Sequence, residues 1–258
     1  MEPVLLEKDG PIGWLTLNRP KKRNALSLEL MDDMLDKLNL VAQDQDIRVV
    51  VIKGNGPVFC AGHDLREMVG TDYDIHHFHK IFSKCAEMMQ ALYALPQPVI
   101  AQVHGVATAA GCQLVAACDL VIAETGAQFA TPGVKIGLFC STPAVPLVRV
   151  IGRRKAMEML LSGRFVTAEE AERFGLVNRM VAPDRLAEQT RNWALEMAQY
   201  SRYTLAFGKE TFYKQIDMDD KSALNFATNA MVMNCFAEDA QEGMLAFLEN
   251  REPVWKDR

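Results

Sequence analysis

The sequence predicts an α/β fold: a core of alternating strands and helices, followed by a region of helices alone. Three observations lead there. Short β-branched runs recur through the first 180 positions, segments with helical spacing lie between them, and beyond Pro183 only helical spacing remains.

Residues 14–17 alternate as a short strand that stops at Asn18-Arg19-Pro20. Ser27 can cap a helix that carries Glu29 in its first turn, with Met31, Met34, Leu35, Leu38 and Val41 on one face. Residues 49–52 form a continuous buried strand, ended by Gly54-Asn55-Gly56-Pro57. Residues 99–103 and 119–123 are two more. Residues 142–150 and 154–161 are expected as two helices separated by Gly152. Thr167-Ala168-Glu169-Glu170 is a capping-box pattern that opens a further helix, ended by Gly175. Amphipathic stretches then span about 184–199, 202–215 and 219–250. There is no internal repeat and no low-complexity linker.

A chain of 258 residues can bury a sizeable core as one domain or two, and 49% apolar with 24% charged residues is an ordinary globular balance. The net charge of −5 argues against a nucleic-acid binder, which needs a basic face. No apolar run reaches the roughly 18–20 residues of a membrane span. Met1-Glu2-Pro3-Val4 carries neither a basic-then-apolar signal nor an Arg/Ser-rich transit segment, so a cytoplasmic location is expected, with the mitochondrial matrix after presequence removal as the alternative. Cys60, Cys85, Cys112, Cys118, Cys140 and Cys235 are scattered without a CxxC, as expected of reduced buried thiols.

Two loops carry the candidate chemistry. Phe59-Cys60-Ala61-Gly62-His63-Asp64-Leu65 follows the strand at 49–53, and the small-residue segment at 104–114 follows the strand at 99–103. Residues with little side chain let the backbone approach a ligand, and two converging N–H groups can hold an enolate or tetrahedral oxyanion. A helix starting near Ala110 adds its positive dipole end. The alternative is that such turns only permit tight packing.

Together with their flanks, these loops resemble the crotonase (enoyl-CoA hydratase/isomerase) superfamily. The resemblance runs from Leu17-Asn18-Arg19-Pro20 and Arg23-Asn24-Ala25-Leu26 through Cys112-Gln113-Leu114-Val115 to Gly243-Met244-Leu245-Ala246-Phe247-Leu248. Phe129-Ala130-Thr131-Pro132-Gly133-Val134, the stretch at 137–143 and Val254-Trp255 resemble one subgroup, the hydratase-domain-containing proteins. The resemblance implies a crotonase (ClpP/crotonase-like) fold of repeated ββα turns over residues 1–195, with a C-terminal helical trimerisation region over 196–258. It also implies an acyl-CoA ligand and self-association as a homotrimer or dimer of trimers. No metal and no cofactor beyond the CoA of the substrate are implied. The oxyanion hole maps to the N–H groups of Ala61 and Ala110. CoA would run past Arg23 and Ala25, with Gly62, His63, Asp64, Leu65 and Gly111 beside it, and Phe247 and Arg251 match positions that reach toward a neighbouring subunit's CoA.

Two departures bear on mechanism. Hydratases of this family use two glutamates to hold and activate water. The first falls at Gln113, which cannot take a proton, and the second at Gly133, which has no side chain. Standard hydration is therefore not expected. Cys140 is a candidate nucleophile, since a helix start lowers a thiol pKa, and Ser141 is a candidate for positioning water in thioester cleavage; packing and capping are the plainer alternative. The chain is thus expected to be an acyl-CoA-transforming enzyme, with a thioester hydrolase or a non-catalytic acyl-CoA binder as alternatives. His63 is expected to contact ligand rather than to catalyse. Asp72 to His79 offers His76 and His79 on one helix face, but no distant ligand set completes a metal site; a helix with Phe78 and Phe82 facing the acyl tail is expected instead. Glu124 has no assigned role.

Overall fold

The computed structural model describes residues 2–70 and 74–258. Two positions of the segment weighed for metal, Asp72 and Tyr73, therefore lie outside the described residues.

Six strands build the main sheet: β1 (Val4–Asp9), β2 (Ile12–Leu17), β3 (Val49–Gly54), β4 (Val99–Val103), β6 (Leu120–Glu124) and β9 (Arg179–Val181), in spatial order β1-β2-β3-β4-β6-β9. Only β1 runs antiparallel to its neighbour, through the turn at Asp9–Ile12; the other pairs are parallel and need crossovers. A second sheet, ordered β5-β7-β8, is built from β5 (Val106–Thr108), β7 (Gln128–Ala130) and β8 (Val166–Thr167). At β4–β5 and again at β6–β7 the chain places one strand in the large sheet, the next in the small sheet, and then runs into a helix. That alternation is the repeated ββα turn.

The alternation of side chains along β3 shows where the core sits. Val50 and Ile52 join the main cluster with α1 (Leu28–Gln43) and α2 (Ile75–Ala94), where Met31, Met34, Leu38, Met88 and Leu92 are buried. Val49 and Val51 face the opposite way, against Leu186, Trp193 and Ala194 of α6 (Leu186–Ala198). Burial on both faces explains why these strands are continuous apolar runs.

The expected helix starts are present. Ser27 accepts from the Leu30 N–H, and Thr167 with Glu170 forms a complete capping box on α5 (Ala168–Phe174). Gly152 breaks α4 (Ser141–Ser162) with φ 74° and ψ 162°, so the two helices expected there are separated where the sequence indicated. The stretch at 219–250 is instead two helices, α8 (Asp220–Cys235) and α9 (Glu238–Glu249), because Ala237 turns extended (φ −62°, ψ 141°) and starts the second. The division expected after residue 195 falls inside α6. The next helix, α7 (Arg202–Gln215), is capped by Ser201.

The C-terminal helices are tied to the core by a buried ion pair. Lys209 Nζ lies 2.7 Å from Asp119 Oδ2 and also donates to the carbonyls of Leu92 and Gln97, while the Tyr213 hydroxyl donates to Asp119 Oδ1 at 2.7 Å. Burial pulls the Lys209 pKa down against the opposing pull of Asp119.

Candidate functional site

The two small-residue loops meet, and contacts at two glycines show how closely. A side chain at Gly62 (φ 91°) would strike the Ala109 methyl and the Thr108 carbonyl at 2.9 Å and reach within 3.2 Å of the Ala110 nitrogen. One at Gly111 would drive into the Cys60 carbonyl at 2.3 Å. Hydrogen bonds from Cys60 N to Val106 O, Thr108 N to Cys60 O and Thr108 Oγ1 to Ala61 O lace the loops together. Ahead of α3 (Ala110–Ala117), Ala109 sits at φ 51° and ψ −119°, a region that alanine rarely occupies.

The fate of each N–H around this junction decides what could hold an anion. Ala61 N–H donates to the Arg23 carbonyl at 3.0 Å, so the expected donor at Ala61 is already engaged. Left-handed backbone at Arg23 (φ 51°) and Asn24 (φ 52°) turns that carbonyl inward. Asp64 N–H donates to Leu26 O and Ala109 N–H to Ala130 O. Among the described residues, the N–H groups of His63 and Ala110 donate to no protein acceptor. Ala110 begins α3, where the first N–H groups have no intrahelical partner.

These residues open into a cavity of about 690 Å³ lined by Ala61, His63, Leu65, Met68, Phe82, Ala109, Ala110, Pro132, Gly133, Lys135, Ile136, Leu138, Phe139, Cys140, Ser141, Thr142 and Pro143. Of the sequence candidates, Ala61, His63, Leu65, Ala110, Gly133, Cys140 and Ser141 converge on it. Phe82 lines it as expected; Phe78 does not. Gln113 is 4% exposed, is not on the wall, and leaves Oε1 without a partner. A smaller cleft is lined by Lys21, Lys22, Arg23, Asp64, Leu65 and Arg66, and Leu65 belongs to both. Asp64 is held at 3.2 Å by Arg19, whose guanidinium also reaches the Ala25 carbonyl. Away from both walls, Phe247 is 82% exposed, and Arg251 is engaged by Glu242 and Glu249, whose carboxylates raise its pKa.

Three environments differ from the expectation or extend it. Cys140 caps α4 without a side-chain hydrogen bond, yet burial pushes its thiol pKa up, partly countered by the Gly133 backbone. The lowered thiol expected from a helix start is therefore not found: desolvation outweighs the dipole. Gly133 is closed in: a Cβ there would lie 2.7 Å from the Leu138 carbonyl oxygen and 2.8 Å from Cys140 Sγ. His63 has both ring nitrogens buried and unpartnered, with its ring edge-on to Phe82 at 5.2 Å. Burial pulls its pKa down to about 4; the nearby Leu26 carbonyl offsets this in part without closing a hydrogen bond. Sequence reasoning missed the freedom of the His63 N–H, which no local pattern signals.

Other candidates resolve into structure. Glu124 Oε1 accepts from Gly105 N at 2.8 Å and pins the β4–β5 turn. His77 contacts the Glu67 carbonyl and His79 contacts Ser83, and among the described residues no group of three or more ligand-type side chains is gathered.

Residues 7–258 match the family model described as enoyl-CoA hydratase/isomerase. The chain is 44% identical to rat enoyl-CoA hydratase domain-containing protein 3, mitochondrial, over 96% of its own length and 82% of the relative's. Among solved structures it is similar to an enoyl-CoA hydratase of Mycobacterium smegmatis (TM-score 0.95, 44% identity, 98% of each chain). It is equally similar to the human hydratase domain-containing protein 3 (TM-score 0.95, 42% identity, 98% of this chain and 100% of that one). The crotonase fold and the subgroup expected from the motifs are thereby borne out.

Proposed function

The chain belongs to the enoyl-CoA hydratase/isomerase family, and on that premise we propose that it binds an acyl-CoA thioester whose carbonyl oxygen rests on the N–H groups of His63 and Ala110. The observation that carries this reading is that these two donors stay free at the junction of the loops, on the wall of one cavity. Each such donor is worth about 3 kcal/mol to a developing oxyanion. The first turn of α3 adds its dipole to the hole. The thioester would lie between the apolar cavity, which suits an acyl chain, and the cleft at Lys21, Lys22, Arg23 and Arg66, which suits the phosphates of CoA. Ala25, Gly62 and Gly111 then act through the backbone or a neighbour rather than by direct contact, Gly62 and Gly111 by allowing the loops to close; Asp64 lies on the wall of the cationic cleft and braces Arg19.

Hydration is not the reaction this site favours. Gln113 cannot act as a base, and Gly133 supplies no acid. A second reading, thioester hydrolysis with Ser141 holding water, is supported by the exposed Ser141 at the cavity wall; a Cys140 nucleophile is disfavoured by its raised thiol. A third is an acyl-CoA binder that performs no chemistry. The exposed apolar residues of α8 and α9 and the turn between them, including Leu224, Met231, Phe236, Phe247 and Leu248, support self-association through residues 196–258. Arg251 would have to leave Glu242 to reach a neighbour's ligand. The vertebrate relatives are named mitochondrial, which supports the matrix alternative over the cytoplasmic expectation. No described helix is long and apolar enough to cross a membrane.

The test is to assay crotonyl-CoA hydration beside thioester hydrolysis across a panel of acyl-CoAs, with binding measured for the same esters. Binding with hydration turnover well below roughly 10 per second is expected. Hydration at ordinary enzyme rates would refute the claim that the missing glutamates matter. Unchanged hydrolysis in Cys140→Ala would end the nucleophile idea.

A further inference from the structure

Asn24 lines neither the cavity nor the cationic cleft, yet all of its polar groups are spent around the loop that carries His63. The residue is fully buried. Its side-chain NH2 donates to the carbonyls of Asn55 at 2.9 Å, Val58 at 3.0 Å and Phe59 at 3.1 Å, so its hydrogens are shared among three acceptors. Its Oδ1 accepts from the Arg19 N–H at 2.9 Å, and its own N–H donates to the Arg19 carbonyl at 3.0 Å. Its carbonyl accepts from Cys60 Sγ at 3.2 Å. A buried amide engaged on every side is held firmly, because each bond lost strands a polar group in the interior.

These bonds decide which N–H groups reach the cavity. Asn24 sits at φ 52°, a left-handed conformation that asparagine tolerates better than most residues. With Arg23 at φ 51°, it turns the chain so that the Arg23 carbonyl meets the Ala61 N–H at 3.0 Å. Just beyond, the Leu26 N–H donates to Gly62 O and the Asp64 N–H to Leu26 O, which makes a parallel bridge between Leu26 and His63. In such a bridge the residue between the two bonded peptides directs its own N–H to the opposite side. Ala61 and Asp64 therefore face residues 23–26, and His63 faces away from them. We infer that Asn24 is the positioning residue of the hole: its amide clamps residues 55–59 and its backbone presents the Arg23 carbonyl, so that the Ala61 N–H is drawn off and the His63 N–H is left for the ligand's carbonyl. The inference rests on the acyl-CoA reading. Asn24 touches no ligand and acts only through the loop, and donors of this kind are effective because they are fixed before charge develops on the oxygen.

Infrared spectroscopy of butyryl-CoA, isotope-labelled at its thioester carbonyl and bound to the full chain, tests this. Two N–H groups on the oxygen weaken the C=O bond, so wild type should move its stretch to lower frequency than in the free ester. Asn24→Gly keeps the left-handed backbone and removes the amide; Asn24→Asp keeps the size and replaces the NH2 by an oxygen. Each should lose most of the shift and bind the ester about tenfold more weakly, the worth of one hydrogen bond. Tyr213→Phe, which loosens the fold at Asp119 and touches neither loop, should keep the wild-type shift. A shift retained in either folded Asn24 variant, or lost equally in Tyr213→Phe, would overturn the inference and leave the acyl-CoA reading standing. Should neither Asn24 variant fold, Asn24 would serve the fold alone and the inference would fall as well. Absence of binding, or of any shift, in wild type would bring down the acyl-CoA reading itself.

Discussion

Restoring an acid at position 133 is the natural way to ask whether this chain is a hydratase that lost its glutamates, and the structure argues that the position has closed. The first carbon of any side chain at Gly133 would lie 2.7 Å from the Leu138 carbonyl oxygen and 2.8 Å from Cys140 Sγ. The thiol can move, but the carbonyl belongs to a turn fastened by the Leu138 N–H on the Gly133 carbonyl at 2.9 Å. Forcing atoms into a packed site costs about 1–3 kcal/mol, and the backbone overlap places Gly133→Ala at the upper end, about 2–3 kcal/mol. Cys140→Ala removes one of the two overlaps and by itself costs about 1 kcal/mol. The double variant should therefore be less destabilised than the sum of the singles by about 1 kcal/mol. Urea unfolding at matched m-values measures all four states of the cycle. Strict additivity, or a Gly133→Ala protein within about 0.5 kcal/mol of wild type, would refute the packing argument. If it stands, adding Gly133→Glu to Gln113→Glu yields a strained protein and little hydration, because the new carboxylate enters where Cys140 and Leu138 already are.

Other perturbations test the remaining structure. For His63, whose folded pKa of about 4 lies below the ordinary 6.5, the unfolded chain binds the extra proton; stability is intact above pH 6.5 and falls as pH drops toward 4. The full shift is worth about 3 kcal/mol, so the difference between wild type and His63→Asn in unfolding free energy should change by that order between pH 7 and pH 4; a pH-independent difference would refute it. Asp119→Ala strands a Lys209 ammonium that is 8% exposed and should cost about 3–5 kcal/mol by urea unfolding, whereas Tyr213→Phe should cost only about 1–3. Ala109→Gly relieves a residue held at φ 51° and ψ −119° and should stabilise by about 1 kcal/mol, read as a rise in Tm.

Much of this fold was legible because its signals are local. Buried parallel strands announce themselves as β-branched runs, and the capping box at Thr167 and Glu170 needs only four consecutive residues. The three-residue strands β5 and β7 were not legible: they are too short for a period, and a partner strand far along the chain defines them. The candidate site divides in the same way. Glycine and alanine in the loops predict close backbone approach, and the contacts at Gly62 and Gly111 bear that out. Which N–H stays free is a different question. It depends on where the Arg23 carbonyl turns, and that is set by left-handed backbone at two residues that are not glycine. The thiol of Cys140 misleads for a related reason, since position at a helix start can be read from sequence but desolvation cannot.

Main-chain donors and side-chain reagents are lost independently, which limits what the proposed hole by itself can say about reaction. Its donors are oriented by contacts that leave no room for side chains at Gly62 and Gly111, so they persist as long as the loops fold. A proton-transfer group is a side chain and can be absent while every loop contact stays in place, as at Gln113 and Gly133. On the proposed reading, a free pair of N–H groups supports carbonyl binding and is silent on the fate of a thioester held there. The side chains on the cavity wall must carry the difference between a hydratase, a hydrolase and a binder. On that wall Lys135 and Ser141 are exposed, and the Cys140 thiol is held protonated by burial. The His63 ring is neutral and both its nitrogens are shielded, so neither its proton nor its lone pair is offered to a molecule in the cavity as the side chain stands.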